Sequence, residues 1–238
     1  MLALKHSLNY KSNTIRKAFH FDRNSVCALQ AVDVATTMVY KSPYSKSFSI
    51  WARNDMVPNK GGFFKYSSVA LGYGDSSSMD NTGQYLWILY EIVSWNKSLN
   101  NSSMDTNWHY YCLTISGHGL PKVYIDGVLR LTGIQQDVST SASACQYSLG
   151  NTAIGSTNRA FSGDLTRFCI FDKVLTDNEV AADFADGMNP PSNESVQTFL
   201  NMEMKNGVVK DVIGDYDMNI IGGATQIPLT GMPSGTNN

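Results

Sequence analysis

Glu91, Glu179, Glu194 and Glu203 are the glutamates of this chain, and with the aspartates they are its candidates for acid–base work. Hydrolysis of a glycosidic bond needs two carboxyl groups about 5 to 9 Å apart, one of them held protonated. No acid-x-acid strand contains any of these glutamates. Glu91, in LWILYEIVSW, alternates with apolar neighbours and reads as an outward position on a strand. Glu179 follows Thr176 by three residues, the spacing of a helix capping box, and Glu203 reads as a strand-edge charge. His6, His20, His109 and His118 do not fall at metal-ligand spacings. No two of Cys27, Cys112, Cys145 and Cys169 form a C-x-x-C pair. There is no G-x-S-x-G elbow and no phosphate-cradling glycine loop. Catalysis is not expected.

Binding chemistry is better represented. Hard cations need several carboxylate and carbonyl oxygens, and Asp75 with Asp80 in YGDSSSMDNTG, together with Asp105, are the candidates, although such loops usually serve as turns. Sugars present apolar C–H faces and polar rims, so their sites pair an aromatic ring with hydrogen-bonding side chains. Tyr66, Tyr73, Tyr85, Trp87, Tyr90 and Trp95 crowd one stretch, with Asn81, Gln84, Asn96 and Asn100 nearby. Most of these rings are expected to pack the core. Trp87, Trp95, Tyr73, Tyr85 and Asn81 are the residues selected as a glycan platform on an open sheet face.

The elements that must position them are short strands. Hydrophobic residues make up 42% of 238 and charged residues 16%, enough to bury a core. Short apolar runs rich in β-branched and aromatic residues, separated by Gly, Ser, Asn and Asp, predict strands at 17–21, 26–29, 37–40, 48–53, 62–66, 85–92, 109–116, 122–125, 149–154, 164–171 and 197–204. Asp126-Gly127 between KVYI and VLRLT marks a tight hairpin. The Thr176–Glu179 capping box opens one short helix near 176–186, which Gly187 ends. The pattern predicts an all-β sandwich over 1–232 with a tail at 233–238.

Several segments in order resemble the laminin-G-like, pentraxin-like branch of the concanavalin A-like lectin/glucanase superfamily. These are Ala18-Phe-His-Phe-Asp22, Phe48-Ser-Ile-Trp51, Trp108-His-Tyr-Tyr-Cys-Leu-Thr114, Lys122-Val-Tyr-Ile-Asp-Gly127, Leu149-Gly150, the run from Phe161 to Leu175, and Ile220-Ile-Gly-Gly223. The resemblance implies a jelly-roll sandwich of two antiparallel sheets. It also implies a structural calcium site, but Thr166 stands where the family places an acid, with Arg167 beside it, and no cofactor is expected.

A net charge of -2 and a pI near 6.0 give no basic face for phosphates, so nucleic acid is not expected. No run approaches the roughly 20 apolar residues of a membrane span, and the first residues lack a signal-peptide core. Reduced cysteines are therefore expected. A chain opening on Met, without an export signal and with an adhesive sandwich, fits a bacteriophage virion component released by lysis. The reading is a non-catalytic recognition or assembly module, a capsid-decoration or tail protein contacting other virion proteins or copies of itself and cell-surface glycans. The alternative is a stand-alone lectin, and a glycoside hydrolase is third.

Overall fold

The computed structural model describes residues 14–31, 45–66, 69–73, 85–90, 93–100, 105–116, 120–133, 147–214 and 216–233, with backbone only at 85, 89–90 and 93–100. The strands are β1 (Lys17–Phe21), β2 (Ala28–Ala31), β3 (Lys46–Asn54), β4 (Gly61–Tyr66), β5 (Val69–Tyr73), β6 (Tyr85–Tyr90), β7 (Val93–Asn100) and β8 (Trp108–Ile115). They continue as β9 (Pro121–Ile125), β10 (Val128–Thr132), β11 (Tyr147–Leu149) and β12 (Gly163–Phe171). After helix α1 (Asp177–Ala185) come β13 (Val196–Lys205), β14 (Val208–Asp211), β15 (Met218–Ile221) and β16 (Thr225–Pro228).

Every strand pairing is antiparallel, and hydrogen bonds run unbroken in the order β10-β9-β8-β3-β12-β13-β14-β15-β2-β11-β4-β5-β6-β7. The expected two sheets are two layers of this one ladder, which folds over where Val209↔Met218 joins β14 to β15. Alternation along the strands explains the fold-over. Phe48, Ile50 and Ala52 of β3, Tyr111 and Leu113 of β8, and Leu165 and Ile170 of β12 face inward. They meet Leu29 of β2, Phe64 and Tyr66 of β4, Leu71 and Tyr73 of β5, and Leu86 and Ile88 of β6. The Phe48 ring stacks on Phe64 at 5.3 Å, and Phe63 lies 4.7 Å from Tyr111. Burying each such side chain contributes about 1.5–3 kcal/mol.

The opposite residues of the first layer build a second core. Trp51, Tyr110, Cys112, Tyr124, Cys169 and Phe171 are covered by Leu175, by Val180 and Phe184 of α1, and by Met188 and Leu229. Phe184 stacks on Trp51 at 5.6 Å. The helix begins as its sequence predicts: the Thr176 side chain accepts from the Glu179 amide, and the Glu179 carboxylate accepts from the Thr176 amide. A buried ion pair fastens it. Between Thr166 and Cys169 the register of β12 against β3 slips, and Arg167 there has φ of +47°. Its guanidinium donates to Asp183 of α1 at 2.9 Å and to the Asn189 carbonyl at 2.9 Å, while the Tyr110 hydroxyl donates to Asp183 at 2.7 Å.

The hairpin at Asp126-Gly127 has φ of +51° and +77°, as its sequence requires. The strand expected over 149–154 is shorter. It ends at Leu149, because Gly150 turns with φ of +76° and packs on the Phe21 ring, leaving no room for a Cβ. Asn151 then makes only an isolated bridge to Ala160. The strand expected at 37–40 lies outside the described residues. β1 lies between β12 and β16, with Lys17 opposite Pro228. Cys27, Cys112 and Cys169 are buried free thiols, and Cys145 lies outside the described residues. Among the described residues no helix is long and apolar enough to cross a membrane.

Candidate functional site

The residues selected from the sequence do not assemble into one described site. Tyr73 is corrected outright: it is 1% exposed, and its hydroxyl bonds to the Tyr111 hydroxyl at 2.8 Å and accepts from the Asn54 amide at 3.3 Å. It faces inward because β5 alternates, and a ring sealed between two layers cannot stack on a glycan. Trp87 is partly buried on β6, flanked by Gly72 of β5 and Ser98 of β7. Its neighbours Leu86 and Ile88 fill the core, so Trp87 takes the outer face of the second layer. Tyr85 and Trp95 lie on β6 and β7, at positions where the backbone alone is described. Asp75, Asp80 and Asn81 lie outside the described residues.

Asp105 belongs to a different constellation. His109 bonds through Nδ1 to Asp126 at 2.7 Å and through Nε2 to Asp105 at 3.1 Å. The Asp126 bond, with the charge of both aspartates, outweighs partial burial and raises the imidazole above its ordinary range. Burial pushes Asp105 up, but hydrogen bonds from the Asn107 amide and side chain and from His109 outweigh it and lower its pKa. Both carboxylates thus engage one imidazole, which fastens the loop before β8, at Asp105, to the β9–β10 turn at Asp126.

A second histidine sits among acids. His20, Asp164 and Arg53 occupy directly paired positions of β1, β12 and β3, and His20 Nδ1 lies 2.9 Å from Asp164. His20 and Asp164, with Asp55 3.9 Å from His20 Nε2, are close enough to share a metal ion. The Arg53 guanidinium, however, bonds the other Asp164 oxygen and packs over the Trp108 ring at 5.2 Å. Near the family's acid position, the Thr166 hydroxyl donates to the Lys17 carbonyl at 2.7 Å, a direct strand-to-strand link.

An open pocket lies on the helix side of the first layer. A pocket of about 400 Å³ is lined by Thr114, Ser116, Leu120, Lys122, Tyr124, Val174, Leu175, Thr176 and Asp177. That is within the roughly 300–1,000 Å³ of small-ligand sites. β8 and β9 place Thr114 opposite Lys122, and Tyr124 follows two residues on, so all three share one face. The loop from Val174 closes the other side and presents Asp177 at the first turn of α1. The Tyr124 hydroxyl donates to Asp177 at 2.7 Å, and the Lys122 ammonium lies 3.9 Å from the same carboxylate. Burial, then the hydrogen bond to Asp177 and the charge of that carboxylate, pushes the Tyr124 phenol well up, so it stays a donor at any ordinary pH. Leu120, Val174 and Leu175 supply the apolar part of the lining. Sequence reasoning missed it, although the alternation of Lys122 and Tyr124 was the signal for one shared face.

Two packed antiparallel layers, closed by β1 and β16 and capped by one helix, define a lectin-type jelly roll. Residues 29–181 match the laminin-G-like group of the concanavalin A-like lectin/glucanases superfamily, and the chain belongs to that superfamily. A protein from Bacteroides ovatus ATCC 8483 assigned to carbohydrate binding superimposes with a TM-score of 0.68 at 16% identity, over 93% of this chain and 62% of its own. This chain therefore spans less than two thirds of that protein. A native heptameric SAP-like pentraxin from Limulus polyphemus gives a TM-score of 0.54 at 14% identity, over 95% of this chain and 99% of its own. At these identities the likeness is one of fold. No curated protein matches the sequence.

Proposed function

We propose that this chain is a non-catalytic recognition module that binds glycans in the pocket between β8, β9 and the start of α1. The observation that carries the reading is the lining itself: hydroxyls, an ammonium and a carboxylate beside the apolar side chains of Leu120, Val174 and Leu175. Such a lining offers donors and acceptors to sugar hydroxyls, and its apolar side chains can take the C–H face. Membership of a lectin-type superfamily fits that chemistry. The pocket contains one carboxylate, Asp177, where hydrolysis needs two. Of the other acids, Glu179 is held down to about 2 by its Lys173 partner, and Asp183 is bound to Arg167 and Tyr110.

A glycan array followed by titration calorimetry tests the reading. Binding of at least one glycan is expected, weakened roughly tenfold by Tyr124→Phe, which removes the hydroxyl bonded to the carboxylate. An array with no hit above background would sink it. The virion-surface setting read from the sequence adds a location to the same chemistry, and a stand-alone lectin differs only there. Co-sedimentation with particles separates the two: a chain that stays in the supernatant is the stand-alone lectin.

A further inference from the structure

We infer that this pocket selects uncharged sugars, neutral hexose or pentose units, over sugars that carry a carboxylate or sulfate; the inference rests on the glycan-binding reading above. The charges around the opening cancel in pairs. Lys122 faces Asp177, Lys173 bonds Glu179, and Lys46, whose strand lies beside β8, bonds Asp172. The start of α1 would by itself attract an anion, but Asp177 and Glu179 already occupy its first turn. An anionic substituent entering here would meet the Asp177 carboxylate with Lys122 already committed to it. It would gain no net field and would have to shed its water. A neutral hydroxyl meets no such barrier. It can donate to Asp177 and accept from Lys122, Ser116 or Thr114, as a polyol presents both roles on one oxygen.

Asp177 is thus the residue that sets the preference. Its side chain is 68% exposed, and the capping bonds of α1 come from Thr176 and Glu179. Asp177→Asn therefore removes the charge and leaves the helix start in place.

The test is an array carrying lactose, mannotriose and cellotriose beside sialyllactose, trigalacturonate and 6-sulfolactose, with calorimetry on any hits and circular dichroism as the control for folding. The wild-type chain is expected to bind one or more neutral members about tenfold more tightly than the acidic ones. Asp177→Asn, with Lys122 released, is expected to erase or reverse that ratio. Equal or tighter binding of acidic members by the wild type overturns the inference while leaving glycan binding intact. So does an Asp177→Asn variant, folded, whose ratio is unchanged. Binding of none of the six overturns the inference; only a full glycan array with no hit above background overturns the glycan reading as well.

Discussion

The Arg167–Asp183 pair and the Asp105–His109–Asp126 cluster use similar chemistry in opposite surroundings. In the first, both side chains are essentially sealed, at 0% and 1% exposure; in the second, His109 is 22% exposed, and Asp105 and Asp126 are 45% and 36%. Bond lengths hardly distinguish them, at 2.9 Å against 2.7 and 3.1 Å. What differs is the consequence of losing a partner. A sealed guanidinium cannot turn to water, so Asp183 is obligatory. A partly exposed imidazole can be rehydrated, so its bonds add less and change with pH. The first pair fixes where the helix sits; the second is an adjustable fastening between two loops.

Breaking the sealed pair should have the largest effect. Asp183→Ala is expected to lower stability by about 3–5 kcal/mol in urea denaturation, since it leaves Arg167 charged and buried with only the more distant Asp186 carboxylate, 3.8 Å away, and strips the Tyr110 hydroxyl of its acceptor. A loss below about 1 kcal/mol would show that water reaches the guanidinium. Thr176→Ala, which removes the cap of the same helix, should lower stability by about 1 kcal/mol in the same measurement. Tyr73→Phe sharpens a second contrast, between the interlayer core and the pocket. It should lower stability by about 1 kcal/mol through the lost bond to Tyr111 while leaving glycan binding unchanged. A fall in glycan affinity would return Tyr73 to the binding surface.

The exposed cluster should give the smallest effect, visible as a pH dependence. The folded pKa of His109 is raised, so its bonds contribute fully below the ordinary value of 6.5 and fade as pH rises through the folded value. Asp105 is lowered, so its share is present above 3.8 and is lost as pH falls through its folded value. The stability difference between the wild type and His109→Gln should therefore be greatest between these limits, at under about 1 kcal/mol, and smaller at pH 8. A difference that grows toward pH 8 would mean that His109 is stabilised as the neutral ring.

Local signals in the sequence carried the fold. Asp126-Gly127 names its turn, Thr176 with Glu179 names a helix start, and alternation in β3 and β8 names an inner face. These are decided by neighbours a few residues apart. Tyr73 was misplaced because alternation puts it on one side of β5 without saying that a second layer closes over that side. The pocket was illegible for a related reason. Thr114 and Tyr124 meet Asp177 only after β8, β9 and the loop before α1 converge, and each is an ordinary strand or cap residue by type. Arg167 reads in the sequence as a charge beside the family's acid position. A register slip in β12 turns it instead toward Asp183.

The pairing of β1 with β16 sets Lys17 against Pro228, so the first and last strands leave the sandwich side by side. Polypeptide fused before β1 and polypeptide fused after β16 would emerge close together, beside the helix-side core against which Ile15, Leu229 and Met232 pack. A unit built this way can be spliced into a longer protein at a single surface turn, or re-opened at another loop with its old ends tied, without rethreading the jelly roll.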